Sequence, residues 1–281
     1  MNPNLNQLYI RANKLRKDIL EMVGPGRRGH FGGSFSCAEI ISVLYFHKMR
    51  HFPNDVKNKS RDRFIMSKGH SALTQYAALA ECGYFPKEEL KTLKNLNSRL
   101  QGHPDMCKLP GIEANTGSLG QGLSIANGMA KALKMDNNNA NVYVVLGDGE
   151  LNEGQIWEAA MFSTHYKLDN VIAVVDKNNI QAMGFTCDRM NMQAIDEKFQ
   201  AFGWEVYTVN GHNIEELIEA LDQCDKRHGK PKVIIASTIK GKGLKIGENT
   251  SAFHNNELTE EQYLFALEDI SRKIGELNDG N

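Results

Sequence analysis

The sequence predicts an α/β fold in which a parallel sheet is covered by helices on both faces. Short apolar runs alternate along the chain with segments of helical periodicity, which is the order of elements in a parallel sheet. No internal repeat and no low-complexity linker interrupts this alternation. The sequence therefore predicts a single domain over residues 1–281, with one long surface loop near its end.

The amino-terminal elements are predicted from periodicity and capping signals. Helical periodicity covers about residues 6–23 and is followed by a Gly-rich loop through Ser34. A second helix is predicted from Cys37, where Ser36 and Glu39 have the spacing of a capping box. These segments should form one helical layer before the first strand.

The sheet is predicted from the apolar runs that follow. A short strand is expected around Arg63–Ser67, and a second Gly-rich stretch, NTGSLGQGLSIANGMA, leads into another helix. The later strands, separated by helical segments, are predicted at residues 142–146, 171–175, 205–209 and 233–237. The stretch KGKGLKIGENTSAFHNN is predicted to be the surface loop, and one charged helix closes the chain.

Composition argues against several classes of partner. The 281 residues include 33 basic and 34 acidic side chains, which gives a formal net charge of -1. This balance provides no bulk attraction to nucleic acid or to an anionic membrane, so neither is an expected partner. The sequence has no signal-peptide or membrane-spanning pattern, and its five cysteines form no CxxC pair. We expect a cytoplasmic protein with reduced thiols.

An acid and an amide stand just beyond two successive predicted strands. Asp148 follows the strand at 142–146, and Asn178 follows the strand at 171–175. Ligands of a parallel sheet bind beyond the carboxyl ends of its strands, so both side chains are predicted to face one site. Their oxygens suit Mg²⁺ or Ca²⁺ and suit Zn²⁺ poorly.

The residues around Asp148 also predict a phosphate site. Gly147 and Gly149 allow close approach of the backbone to a phosphate, and a helix predicted to start near Asn152 points its free N–H groups toward the anion. Gly-Asp-Gly is also an ordinary turn tripeptide. The Asn pair at the end of the next strand is what favours a metal-bridged diphosphate site over a simple turn.

The order GDG, helix, NN resembles the thiamine diphosphate binding motif, and other stretches narrow the resemblance to the transketolase family. These are GHFGG at 29–33, SKGH at 67–70, QGHPD at 101–105 and TGSLGQGLS at 116–124. The resemblance extends roughly from Tyr9 to Leu258 and corresponds to the diphosphate-binding amino-terminal part of a single-chain transketolase. It implies the thiamine diphosphate-binding fold and the first subunit of a split transketolase.

The resemblance implies a role for each matching residue. The metal ligands for Mg²⁺ or Ca²⁺ would be Asp148, Asn178 and the carbonyl of Ile180. The residues implied to bind thiamine diphosphate are His70, Gly117, Leu119, Gly147, Gly149, Glu158, Asn178 and His254. The residues implied to take part in catalysis are His30, His103, His254 and Glu153. Glu153 and Glu158 resemble acids near the subunit contact that links paired active sites.

Two of the histidine loops depart from the family pattern. Phe31 follows His30 where proline is common, and Asn-Asn follows His254 where Gly-Ala is usual. These loops are therefore expected to be reshaped for a different substrate. Histidines without a motif are expected at the surface or in packing, and these are His47, His51, His165, His212 and His228. Trp157 and Met161 are likewise expected in core or interface packing.

The family reaction moves a two-carbon ketol unit from a ketose phosphate to an aldose phosphate. Because nothing here resembles the pyrimidine-binding domain, the expected partner is a second chain that carries it, in an α2β2 heterotetramer. Two alternatives stay open. One is the α-subunit of a 2-oxo acid dehydrogenase, which shares GDG and NN but not the SKGH and QGHPD loops, and the other is a non-catalytic cofactor-binding module. The donor sugar stays open between a pentose phosphate, a sulfonated or deoxy ketose and an apiose-derived sugar.

Overall fold

The computed structural model describes residues 4–279, and its centre is a five-stranded parallel sheet. The strands, in chain order, are β1 (Arg63–Met66), β2 (Val142–Gly147), β3 (Val171–Lys177), β4 (Ile180–Gln181), β5 (Gly184–Phe185), β6 (Glu205–Asn210) and β7 (Lys232–Ser237). The sheet has the order β1-β2-β3-β7-β6 with every pair parallel, while β4 and β5 form a small antiparallel hairpin. The predicted parallel sheet is confirmed.

Helices occupy the connections between the strands. The α-helices are α1 (Leu5–Val23), α2 (Phe31–Ser36), α3 (Ala38–Val43), α4 (Ala72–Glu81), α5 (Gln121–Met135), α6 (Gly154–His165), α7 (Thr186–Arg189), α8 (Ile195–Ala201), α9 (Ile214–Gln223) and α10 (Glu260–Asp279). A π-helical turn, Leu44–Lys48, extends α3, and short 3₁₀ turns cover Gly69–Ser71, Lys87–Thr92 and Gly149–Asn152.

Helices cover both faces of the sheet, as predicted. Along β2, Tyr143 and Val145 join an apolar cluster that includes α1, α3, α4 and α9. Val142, Val144 and Leu146 point the other way, into a cluster that includes α5, α6 and α8. Successive side chains of a strand face opposite sides, so a sheet buried on both faces needs the nearly continuous apolar runs seen in the sequence.

Local capping sets the bounds of several helices. The Asn4 side chain accepts a hydrogen bond from the Gln7 N–H at the start of α1, and Gly24 ends that helix at a φ of 73°. The Asn213 side chain caps α9 by accepting from the N–H groups of Glu215 and Glu216. The predicted helix over 6–23 is confirmed, and it packs against α10.

Two local predictions near the amino terminus are wrong. The expected Gly-rich loop through Ser34 ends at His30, because Phe31–Ser36 form the short buried helix α2, which places Phe31 and Phe35 together in the core. The expected capping box does not form, because Ser36 donates to Asp176 at 2.6 Å and Glu39 pairs with Arg16 at 2.7 Å. Both side chains therefore bond to buried charged residues of distant segments and not to the backbone at the start of the helix.

The remaining boundaries differ by a few residues. The helix predicted near Asn152 begins at Gly154, after a 3₁₀ turn. The stretch over 240–256 is only partly a surface loop, because Lys240 and Leu244 are buried. Within residues 4–279 no helix combines the length and apolar character needed to cross a membrane, and each of the five cysteines is unpaired.

Candidate active site

A cavity of about 180 Å³ lies beyond the carboxyl ends of β1, β2 and β3. Loops that follow these strands supply most of its wall, and the 240–256 segment closes one side. The polar residues in its lining are Lys68, His70, Asp148, Glu150, Asp176, Asn178, Gln181, Lys240 and His254. The pocket thus lies at the sheet edge where the sequence placed the candidate site.

Asp148 and Asn178 line the same wall of this pocket. The Asp148 carboxylate accepts the N–H of Gly149 at 2.7 Å and the N–H of Asn179. Burial and, next, the charge of Asp176 raise the pKa of Asp148 to about 6, although the two N–H bonds act in the other direction. A bound cation would favour the ionised carboxylate, so this buried acid suits a metal ligand.

The third metal ligand implied by the resemblance, the carbonyl of Ile180, already faces a positive charge. The Lys240 ammonium donates to this oxygen at 2.8 Å, and the side chain of Lys240 is buried. Burial lowers the pKa of Lys240 to about 8, and the charge of Lys68 adds to this. The carboxylate of Asp148, the amide of Asn178 and this carbonyl line one pocket and are oxygen ligands of the kinds that Mg²⁺ and Ca²⁺ prefer.

A buried ion pair forms the floor of the pocket. Lys68 donates to the carbonyl of Gly33 at 2.7 Å and pairs with Asp176. Asp176 also accepts from the hydroxyls of Ser36 and Thr238. Burial alone would lower the pKa of Lys68, but the charge of Asp176 raises it to about 12. The same carboxylate accepts from the Asn178 amide at 3.2 Å, so the floor orients a candidate metal ligand.

The wall above this floor has polar atoms that suit an anionic ligand. Among residues 4–279, the buried atoms without a hydrogen-bond partner include Nε2 of Gln181 and Nδ1 of His254, and both residues line the pocket. At Gly149 a Cβ would lie 2.7 Å from the Gln181 side chain, so only glycine allows this approach. A diphosphate in this pocket would give the unpaired Gln181 amide an acceptor and would lie near the positive charges of Lys68 and Lys240.

The four loop histidines come together at the mouth of the pocket. The ring centroid of His30 lies 5.4 Å from that of His70, 6.1 Å from that of His103 and 5.7 Å from that of His254. Burial lowers the pKa of both His30 and His254 to about 4, with nearby lysines contributing. The rings are therefore neutral at pH 7 and able to accept a proton.

This cluster is not arranged as a metal centre. In the part of the chain that the structure describes, no group of three or more His, Cys, Asp or Glu side chains could hold a metal ion. The roles in proton transfer that the resemblance implies for His30, His103 and His254 stay predictions.

Backbone pairing explains how distant loops bring the histidines together. Gly29 and Asn256 form an isolated antiparallel bridge, and the N–H of Gly32 donates to the carbonyl of Phe253 at 2.9 Å. These bonds dock the segment that carries His254 against the loop that carries His30. The Tyr76 hydroxyl donates to the backbone carbonyl of His103 at 3.0 Å and holds the third loop.

Some of the predicted residues lie elsewhere. Glu153 and Glu158 are exposed at the start and on the surface of α6 and are not in the pocket lining. Gly117 lies against the His103 ring, whereas Leu119 lines the pocket. The roles of Glu153 and Glu158 at a subunit contact stay predictions.

Sequence reasoning missed several residues of the pocket, namely Lys68, Glu150, Asp176, Gln181 and Lys240. Asp176 carried a signal, because it ends the apolar run VIAVV. Lys68 lies within the SKGH motif, where only the histidine has an implied role, and Lys240 begins the stretch predicted to be a surface loop. Their function depends on pairing between loops, which no local pattern reports.

Comparison with known proteins gives a consistent result. Residues 9–270 match the family model described as transketolase, thiamine diphosphate binding domain. The chain is 44% identical to 6-deoxy-6-sulfo-D-fructose transketolase subunit SqwG of Clostridium sp. strain MSTE9, covering 95% of this chain and 97% of the relative. It is 41% identical to an apulose-4-phosphate transketolase subunit of Phocaeicola vulgatus, covering 98% and 97%.

Solved structures agree with these sequence relatives. The fold matches transketolase from Leishmania mexicana with a TM-score of 0.88 and 32% identity. That match covers 97% of this chain but only 41% of the Leishmania protein.

Proposed function

The chain belongs to the transketolase family, and from this premise we propose that it is the amino-terminal subunit of a two-chain, thiamine diphosphate-dependent transketolase. A second chain with the pyrimidine-binding domain would complete the active site in an α2β2 heterotetramer. The length supports this proposal, since the chain is matched over nearly all of two relatives that are themselves named as subunits. The reaction would transfer a two-carbon ketol unit between sugar phosphates.

The observation that carries the proposal is the meeting of metal-type ligands and histidines in one pocket. Asp148, Asn178 and the Ile180 carbonyl would hold Mg²⁺ or Ca²⁺, whose charge would offset that of the diphosphate. His70 and the unpaired amide of Gln181 would bind the diphosphate oxygens. The thiazolium ring of the cofactor supplies an electron sink for cleavage next to a ketose carbonyl, which no side chain can provide.

The histidines would move protons on the substrate. Neutral His30 and His103 can accept hydrogen bonds from sugar hydroxyls and take a proton from the hydroxyl beside the bond that breaks. Nδ1 of His254, without a partner among the described residues, can bond a further hydroxyl. These roles need rings that are neutral near pH 7, as burial makes His30 and His254.

The substrate class follows from the family reaction and the relatives' names. We expect a ketose donor with an anionic terminus. Because the relatives' names contain 6-deoxy-6-sulfofructose and apulose 4-phosphate, these two sugars should be assayed as substrates together with pentose phosphates. The departures from the family pattern at Phe31, at the start of α2, and at Asn255 are the positions where we expect a difference in donor to be expressed.

The test has a binding arm and an activity arm. Titration calorimetry with thiamine diphosphate and Mg²⁺ should give an affinity about 100-fold weaker for Asp148→Ala than for wild type. Asp169→Ala, a buried acid at the opposite end of the sheet, is the matched control and should bind normally. Unchanged affinity in a folded Asp148→Ala protein would remove the metal role.

In the activity arm, the chain alone should be folded but inactive. Ketol transfer should appear only when a chain with the pyrimidine-binding domain is added, because the cofactor's reactive end must be aligned and shielded from water. Ketol transfer by this chain alone, at a rate that the partner does not change, would overturn the two-chain proposal. Release of CO₂ from a 2-oxo acid by the reconstituted pair would instead favour the dehydrogenase alternative.

A further inference from the structure

Glu150 has no role in the function proposed above, yet its carboxylate joins three separate loops. One oxygen accepts the N–H of Gly120 at 2.9 Å together with the hydroxyl of Ser67, and the other accepts the N–H of Gly147 at 3.0 Å. The residue is 2% exposed. Ser67 belongs to the SKGH loop, Gly120 to the second Gly-rich loop and Gly147 to the GDG turn.

Further close contacts join two of these three loops to each other. A Cβ at Gly69 would lie 2.6 Å from the backbone nitrogen of Gly117, so two of the loops stack backbone against backbone. The Ser67 hydroxyl also accepts the N–H of Gly122 at 3.2 Å. Because these loops are packed so closely, we expect a change in the Glu150 bonds to shift the second Gly-rich loop and the GDG turn relative to β1.

We propose that Glu150 is a positioning residue that sets the spacing of the SKGH loop, the second Gly-rich loop and the GDG turn. It thereby presents His70, Leu119 and Asp148 to a single ligand. The identity of that ligand as thiamine diphosphate rests on the proposed function. The clamp itself is a property of this chain and can be measured without the ligand.

The two oxygens of the side chain make the clamp specific to a carboxylate. The backbone N–H groups of Gly120 and Gly147 donate to different oxygens of Glu150. A glutamine of the same shape offers only one oxygen, so its NH₂ group would face one of these N–H donors. Glu150→Gln therefore leaves a buried donor unsatisfied without creating a cavity.

Hydrogen exchange in the cofactor-free chain is the direct test. In Glu150→Gln at least one of the amides of Gly120 and Gly147, the one that faces the new NH₂ group, should exchange about tenfold faster than in wild type. Glu113→Gln is the matched control, because Glu113 is a partly buried glutamate held by Arg61 and Arg63 outside the pocket. It should leave both amides unchanged.

Calorimetry and kinetics connect the clamp to the ligand. The affinity for thiamine diphosphate with Mg²⁺ should fall about tenfold in Glu150→Gln and stay unchanged in Glu113→Gln. With saturating cofactor, KM for the ketose should stay at the wild-type value, since Glu150 does not touch substrate. A merely structural role would lower the melting temperature without separating these two constants.

The outcomes separate the clamp from the function. Wild-type exchange rates at both Gly120 and Gly147 in Glu150→Gln would overturn the clamp. Faster exchange with undiminished cofactor affinity would show that the clamp does not contribute to ligand binding. Faster exchange in a chain whose wild type binds no thiamine diphosphate would refute the proposed function but keep the clamp. If Glu150→Gln does not fold, Ser67→Ala decides, because unchanged exchange at Gly120 and Gly147 would count against the clamp.

Discussion

The two ends of the central sheet both carry ion pairs, but these pairs differ in their exposure to solvent. At the amino end, Asp62 and Asp169 precede strands and pair with Arg50 and Lys134, whose side chains are 51% and 38% exposed. At the carboxyl end, the Lys68–Asp176 pair is 3% and 0% exposed. At the amino end the basic partner of each ion pair is exposed to solvent. At the carboxyl end both partners are buried beside a cavity.

The pKa values show what this difference means. Burial alone would raise the pKa of Asp169, but Lys134 and the N–H of Gly229 lower it, so the native environment favours its charge. At the carboxyl end the Lys68–Asp176 pair also favours its charged forms, because, against burial, each charge stabilises the other. The difference lies in the groups beside that pair, where burial raises the pKa of Asp148 to about 6 and lowers that of Lys240 to about 8. Both pocket groups are shifted toward their neutral forms. Charges held at such a cost to stability are typical of a site that awaits a ligand of opposite charge.

The largest expected effect comes from removing one lysine at each end. Lys68→Met leaves Asp176 buried without its counter-charge and should destabilise the fold by about 3–5 kcal/mol. Lys134→Met removes a partly exposed partner of Asp169 and should cost no more than about 1 kcal/mol. Urea denaturation of the two variants checks the ratio. If the two variants lose equal free energies of unfolding, the ion pairs at the two ends do not differ in their contribution to stability.

A second prediction divides the carboxyl end by depth. His70 lines the pocket beside His254, at a ring distance of 4.9 Å, whereas His103 is exposed at its rim. His70→Ala should weaken thiamine diphosphate binding about tenfold, and His103→Ala should lower turnover with nearly unchanged cofactor affinity. Calorimetry and steady-state kinetics measure the two effects. Equal loss of cofactor affinity at both positions would mean that the histidines do not divide into cofactor and substrate groups.

The comparison also marks how far the sequence could predict this molecule. Strands and their order along the chain follow from apolar runs, and the placement of Asp148 and Asn178 in one pocket follows from the strand ends that they occupy. Ser36 marks the limit. Its spacing from Glu39 predicts a cap, yet the hydroxyl bonds Asp176, 140 residues away. The buried floor of the pocket depends on such long-range contacts, so no local pattern contains it.

The smallest expected effect is a difference in pH dependence between the two ends. Because His30 and His254 have pKa values lowered to about 4, the unfolded chain binds more protons than the native chain between pH 6.5 and 4. Their contribution to stability is therefore complete above pH 6.5 and is lost as pH falls through this window. Both rings are partly exposed, so the slope should stay below about 1.4 kcal/mol per pH unit for each ring.

Asp148 titrates in an overlapping window with the opposite sign, since its raised pKa makes stability fall as pH rises from 3.8 to about 6. The histidine contribution therefore appears as the difference between wild type and the double variant His30→Asn, His254→Asn in denaturation from pH 4 to 7. The lowered pKa of Asp169 acts only below its ordinary value of 3.8, so Asp169→Asn should leave this window unchanged. A pH profile that Asp169→Asn alters as much as the histidine variant would show that the two ends do not titrate separately.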